Sequence, residues 1–229
     1  MDNTHQLLKV LVGSRAHGLS NENSDYDYRS VHILQTSDLL SLDYKSEDVK
    51  GSDCNVSYEI GHFLHLALEC NPTILEVFKA PIISEDNYVA TIGATGYKLR
   101  SLFPYVWQPE RAYLAFVGYG LDQRRRFLDK SDGRQDKYAC AYIRTLYNLI
   151  QLLETGDFSV EIKEPEIRKT LISYKSGNYK TGEVVDKAEW LTKLATASLG
   201  KSVNKEYNRD IVNQFLLNIR KSFWTTKGG

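Results

Sequence analysis

Cysteine is scarce in this chain. Cys54, Cys70 and Cys140 are too few and too scattered for a disulfide framework or a four-ligand zinc site, and they read as reduced, packed thiols. Long apolar runs are missing too: nowhere do the roughly 18 consecutive apolar residues of a membrane-spanning helix occur, so no membrane partner is expected. The first residues, Met1-Asp2-Asn3-Thr4-His5-Gln6, lack the charged-then-apolar order of an export signal, which makes a cytoplasmic location the expectation. Nor is there an excess of either charge. Lys and Arg number 29 and so do Asp and Glu, so no global field draws in a polyanion and any nucleic-acid contact must be local. No internal repeat is present. What remains is an ordinary globular composition: 229 residues with 42% hydrophobic side chains, enough for one large domain or two modest ones.

The densest chemistry lies near the amino end. Lys9-Val10-Leu11-Val12 reads as a short buried strand running into Gly13-Ser14, where a residue without a side chain lets backbone N–H groups approach an anion and Ser14 adds a hydroxyl. Ten residues later come Asp25-Tyr26-Asp27, which open a second extended segment. Residues two apart on a strand share a face, so Asp25 and Asp27 project together and Tyr26 points away. Two carboxylates so placed repel unless a cation joins them, and Mg²⁺ or Mn²⁺ suits oxygen donors that leave positions for phosphate oxygens. An isolated Gly-Ser or Asp-x-Asp is commonly only a turn. Strand, Gly-Ser, ten residues, Asp-x-Asp and strand in that order form the layout of a metal-dependent nucleotidyl-transfer site.

Strands are predicted over residues 7–12, 27–34 and 54–60, with a polar, variable stretch over 35–53. Helices follow over 61–69 and 73–78, the latter with Asn71 as N-cap and Pro72 in the first turn, then over 111–128, 137–153, 188–199 and 208–224. Polar turn-rich segments over 129–134 and 176–182 are the expected loops. The resulting fold class is α+β: a small mixed β-sheet core with flanking helices over residues 1–80, followed by a mainly helical region over 81–229 that completes a cleft.

The chain resembles the polymerase-β-type nucleotidyltransferase superfamily, and within it the RNA-repair-associated RlaP-like group of predicted nucleotidyltransferases. The resemblance rests on Gly13-Ser14-Arg15-Ala16-His17-Gly18-Leu19, Ser24-Asp25-Tyr26-Asp27-Tyr28-Arg29, Tyr58-Glu59-Ile60-Gly61-His62-Phe63-Leu64 and Asn71-Pro72-Thr73-Ile74-Leu75-Glu76-Val77, and continues more weakly through Lys137-Tyr138 and Ile143-Arg144. It covers about residues 6–175. It implies a transferase that moves a nucleoside monophosphate from an NTP such as ATP to an acceptor hydroxyl and releases pyrophosphate. Asp25 and Asp27 would hold Mg²⁺ or Mn²⁺, and Gly13 and Ser14 would bind the phosphates. It also implies that Lys137 and Arg144, seven apart and so on one helix face, neutralise the triphosphate; a solvated helix face is the other reading of the pair.

Two-metal phosphoryl transfer calls for a third carboxylate. Alternation along 54–60 puts Glu59 on the polar face, and we favour it over Asp53, while a helix-capping role for Glu59 stays open. Arg15 and His17 either reach a phosphate or face solvent, and Arg29 can pair with Asp25 or Asp27. Glu76 suits a buried hydrogen bond, and His62 with His65 a packed surface pair. The run Arg124-Arg125-Arg126 cannot all face one way and is a candidate contact for a polymer substrate. An RNA or tRNA end is the favoured acceptor. The alternatives are a protein hydroxyl, as for an antitoxin-type nucleotidylating enzyme, or no turnover at all in a nucleotide-binding regulator.

Overall fold

The computed structural model of the chain describes residues 4–42, 49–50, 56–81, 93–129, 131–202 and 204–224. Asp53 and Cys54, and with them the start of the strand expected over 54–60, lie outside the described residues.

Among the described residues, four strands make the sheet. β1 (Thr4–Val12) leads into a single helical turn, α1 (Gly13–Ala16); β2 (Asp27–Leu34) returns beside β1 and is followed by the short α2 (Thr36–Leu39), β3 (Val49–Lys50) and β4 (Val56–Glu59). The order across the sheet is β1-β2-β4-β3, with β1 antiparallel to β2, β2 parallel to β4, and β3 antiparallel to β4. Strand β1 carries a bulge: Gln6 opposes His32 while Leu8 opposes Val31, so Leu7 is the extra residue, and Leu7 and Leu8 are both buried despite being adjacent. The β1–β2 register also fixes the site, because Asp27 pairs with Val12 and therefore lies beside Gly13.

Two helices cover the sheet. α3 (Ile60–Leu68) buries Ile60, Phe63, Leu64 and Ala67, and α4 (Pro72–Lys79) buries Ile74 through Phe78. The expected start of α4 is found: the Asn71 side chain accepts from the Thr73 and Ile74 N–H groups, and Pro72 occupies the first turn, where its missing N–H costs nothing. Beyond it come α5 (Ala94–Arg100), α6 (Phe103–Val106), α7 (Pro109–Asp129), α8 (Gln135–Thr155), α9 (Pro165–Lys175), α10 (Thr181–Leu199) and α11 (Arg209–Ser222). α7 and α8 form a helical hairpin, with α10 packed on both and α9 on α8.

One buried cluster reaches from Leu7 on β1 to Ile219 on α11. A chain of rings runs through it. Phe63 stacks on Phe78 at 5.1 Å, Phe78 meets Phe103 at 6.1 Å, and Phe158 lies 6.0 Å from Phe103 and 6.5 Å from Phe116, so aromatic packing joins the sheet-covering helices to the hairpin. Some local readings of the sequence need correcting. The helix expected over 188–199 is only the later part of α10, and α5, α6 and α9 were not foreseen, although Glu164 caps α9 by accepting from the Ile167 N–H and Pro165 opens its first turn.

Candidate active site: a cleft between acids and cations

A cleft of about 530 Å³ opens between the start of the sheet and the helical hairpin. Gly13, Ser14, His17, Asp25 and Asp27 line it on the sheet side, and Arg134, Asp136, Lys137, Arg144 and Lys175 on the helical side. Gly13 and Ser14 are there because β1 ends at Val12 and the chain turns sharply. Gly13 has φ +72°, and a Cβ on it would stand 2.5 Å from Asp27 Oδ2, so the absent side chain is what lets this carboxylate lie against the turn. Asp27 is the first residue of β2 and half-buried, while Asp25 precedes the strand and is exposed. Among the described residues, no ion pair engages either aspartate.

The helical side is cationic. Lys137 and Arg144 both line the cleft, two turns apart on α8. Arg144 is nearly buried and held by Glu76, its Nη1 donating to Oε2 at 3.1 Å, while His17 Nε2 lies 2.6 Å from Glu76 Oε1. Burial alone would raise the Glu76 carboxyl, but the Arg144 guanidinium and the His17 hydrogen bond hold it down at about 2. Burial, and then the charge of Arg144, push His17 below its ordinary value. His17 is therefore neutral at physiological pH and donates Nε2–H to an ionised Glu76. The buried hydrogen bond expected of Glu76 is what fixes the cleft's most deeply held cation.

Lys175, at the end of α9, went unnoticed in the sequence. Its Nζ donates to the Leu19 carbonyl at 2.8 Å and to Ser24 Oγ at 3.2 Å, pinning the segment that carries Asp25 to the helical region. Burial lowers its pKa, as does the nearby positive charge of Lys137 and Arg15. Arg134, just before α8, was missed as well. The signal available for both was local: Glu164-Pro165 announces a helix that ends at Lys175, and the loop over 129–134 feeds the first turn of α8.

Two residues expected at the site are elsewhere. Arg15 does not line the cleft; its Nε and Nη2 donate to the Ser24 carbonyl at 3.0 and 2.7 Å and its guanidinium lies 3.7 Å from the centre of the Tyr26 ring, so it braces the loop from behind. Glu59 is at the opposite end of the sheet. It pairs with His32, five positions along β2 from Asp27, a separation of about 16 Å at the rise of a strand. There it is buried, accepts from the Gly61 N–H at 2.7 Å as the N-cap of α3, and meets Arg220 Nη1 at 2.6 Å. The capping alternative describes its surroundings, and strand alternation told its face but not its distance from the aspartates.

Of the remaining marked residues, Arg29 donates to the Tyr28 carbonyl, His62 and His65 are exposed, and Arg125 and Arg126 share Asp122, while the Arg124 Nε is buried without a hydrogen-bond partner among the described residues. Burial raises the thiols of Cys70 and Cys140, to about 11 and about 12, and both are free. Among the described residues no three His, Cys, Asp or Glu side chains gather as a metal-binding group. Asp25 and Asp27 both line the cleft beside open space, and their hard oxygen donors fit Mg²⁺ retaining water and substrate phosphates in its other positions.

Asp25 and Asp27 thus stand just before and at the start of β2, next to a Gly-Ser turn and across a cleft from helical cations. The chain belongs to the RlaP family, the RNA repair pathway DNA polymerase beta family, whose model matches residues 2–216. It is a polymerase-β-like nucleotidyltransferase. It is similar to the Uncharacterized protein YcgL of Bacillus subtilis (strain 168), at 21% identity over 219 residues that cover 90% of this chain and 75% of that one. A solved nucleotidyltransferase-like protein from Exiguobacterium sibiricum 255-15 aligns over 96% of this chain and 75% of its own, with a TM-score of 0.32 and 12% identity. No helix among the described residues is long and apolar enough to cross a membrane.

Proposed function

We propose that the cleft binds a nucleoside triphosphate with Mg²⁺ or Mn²⁺ and transfers its nucleoside monophosphate to an acceptor hydroxyl, an RNA or tRNA end being the favoured acceptor. One observation carries this reading: two aspartates without an ion pair among the described residues line one side of a space of about 530 Å³, and Arg134, Lys137, Arg144 and Lys175, with Asp136 as the one acid among them, line the other. A polyphosphate is the ligand whose charge matches the cationic wall while its metal matches the acidic one.

Asp25 and Asp27 would hold the ion, which when bound draws charge off the phosphate oxygens. The Gly13-Ser14 turn and Ser14 hydroxyl orient the β- and γ-phosphates, and Lys137, Arg144 and Lys175 neutralise them. Glu76 and neutral His17 keep Arg144 aimed into the cleft. The acceptor hydroxyl releases its proton to solvent as its oxygen forms a bond to the α-phosphorus in line, the bond from that phosphorus to the β-bridging oxygen breaks, and pyrophosphate leaves with the electron pair. Positioning and charge neutralisation supply the rate. Support for an RNA acceptor comes from the family description alone.

The test incubates the purified protein with each α-labelled triphosphate, Mg²⁺ or Mn²⁺, and RNA, DNA or cell protein. Asp25→Asn and Asp27→Asn should abolish labelling with the fold intact, while Glu59→Gln should keep turnover and lose stability, by about 3–5 kcal/mol for a broken buried pair. Wild-type labelling by Asp27→Asn would remove the assignment. Label on protein in place of RNA would point to the nucleotidylating enzyme, and nucleotide binding without label anywhere to the regulator.

A further inference from the structure

α7 turns one narrow face to solvent that does not look like a solvent face. Glu110, Leu114, Gly118, Leu121, Arg125 and Leu128 are all exposed, and at 3.6 residues per turn they fall within about 80° of the helix circumference. The other side of the helix buries Ala112, Phe116, Gly120, Gln123 and Phe127, so α7 already has its core contact. Leu114, Leu121 and Leu128 recur every seven residues with 70%, 52% and 45% of their surface open. Heptad-spaced leucines on an otherwise satisfied helix are the seam of a helix pair.

The charges along the seam say which helix fits. Glu110, at its start, has no ion pair among the described residues. Towards its end Asp122 is shared by Arg125 and Arg126, and Arg124, Arg125 and Arg126 outnumber Asp122 and Asp129, leaving that end net positive. The face is thus negative at one end and positive at the other. Midway, Gly118 has nothing within 4 Å of where a Cβ would stand, so another backbone can approach closely there.

We propose that this face is the contact of a homodimer in which α7 packs antiparallel on α7 of a second copy, about a twofold axis level with Val117 and Gly118. In that register Leu114 of each copy opposes Leu121 of the other, and Glu110 of each faces Arg125 of the other. A parallel pair would set Glu110 against Glu110 and Arg125 against Arg125. The antiparallel contact is closed and self-complementary, as a twofold interface must be, and it also opposes the helix dipoles.

Sedimentation velocity from about 1 to about 100 µM, where a contact of modest area associates, reads the outcome. Mass should rise with concentration from 26.2 kDa towards twice that value. Leu121→Glu, at an exposed position, should leave the circular dichroism unchanged and hold the protein monomeric, weakening association more than tenfold. Glu110→Arg alone and Arg125→Glu alone should each weaken it, and the double variant should recover it. A wild-type monomer throughout overturns the proposal. So does a dimer that survives Leu121→Glu, or a double variant no tighter than the two single ones.

Discussion

At the scale of single residues, Gly13 decides whether the site can exist. Its backbone is in the left-handed region, and a methyl group there would meet Asp27 Oδ2 at 2.5 Å and Asp27 Cβ at 3.3 Å, at a carboxylate anchored in the sheet. Gly13→Ala should cost about 1–3 kcal/mol through backbone strain and displace Asp27 as well. Urea unfolding should show the modest stability loss, and Mn²⁺ titration in the presence of a non-hydrolysable triphosphate should show a much larger loss of binding. Equal, small losses in both would mean that Asp27 does not hold the ion. That Asp25, Asp27, Gly13 and Ser14 stand together at one cleft was legible because a turn and a strand start are local objects whose geometry follows from a few adjacent residues. Glu59 was misplaced because alternation by twos reports which face a side chain takes and says nothing of how far along the neighbouring strand it stands.

At the scale of elements, α9 does more than cover α8. Through Lys175 it holds the 19–24 segment from one side while Arg15 holds Ser24 from the other, so the chain entering Asp25 is clamped between two cations. Lys175→Met keeps the apolar stem and removes the charged donor. It should expose residues 19–24 to limited proteolysis and weaken nucleotide binding by roughly tenfold, about 1.4 kcal/mol, in line with the loss of a charge-assisted hydrogen bond. Calorimetric titration against ATP and mapping of the first cleavage sites would check both, and unchanged values would mean the clamp is dispensable. The helices with strong periodicity, α7, α8 and α11, were legible from their apolar spacing, and α4 from its cap and proline. Sequence reading missed α9 because its apolar positions are sparse, with only Ile167, Leu171 and Tyr174 buried, and its capping signal is carried by Glu164.

At the scale of the whole molecule, the Glu76 network makes stability depend on acid. His17 is held below 6.5, chiefly by burial, so its contribution is complete above that pH and is lost as pH falls through the lower folded value. Glu76 falls from 4.5 to about 2 on folding, so its contribution is complete above 4.5 and is lost between there and about 2. Both losses run the same way. Thermal melts should be flat near neutrality, decline below pH 6.5 and drop more steeply below 4.5. Glu76→Gln should start lower by about 3–5 kcal/mol, since it strands the buried Arg144, and should lack the steep lower segment. A variant that melts like the wild type at every pH would show that the network bears no load.

The sequence by itself determined the α+β class, most helix positions, the α4 cap and the Gly-Ser and Asp-x-Asp order, because side-chain period, capping and turn chemistry act over a few residues. The tertiary structure decided which charges share the cleft. Lys175 reaches Leu19 and Ser24 across about 150 residues of chain, Arg144 is aimed by Glu76 from another helix, and Glu59 is carried to the far end of the sheet by the β2–β4 register. Such meetings depend on how the aromatic core sets helices against sheet. No short stretch of residues encodes that distance.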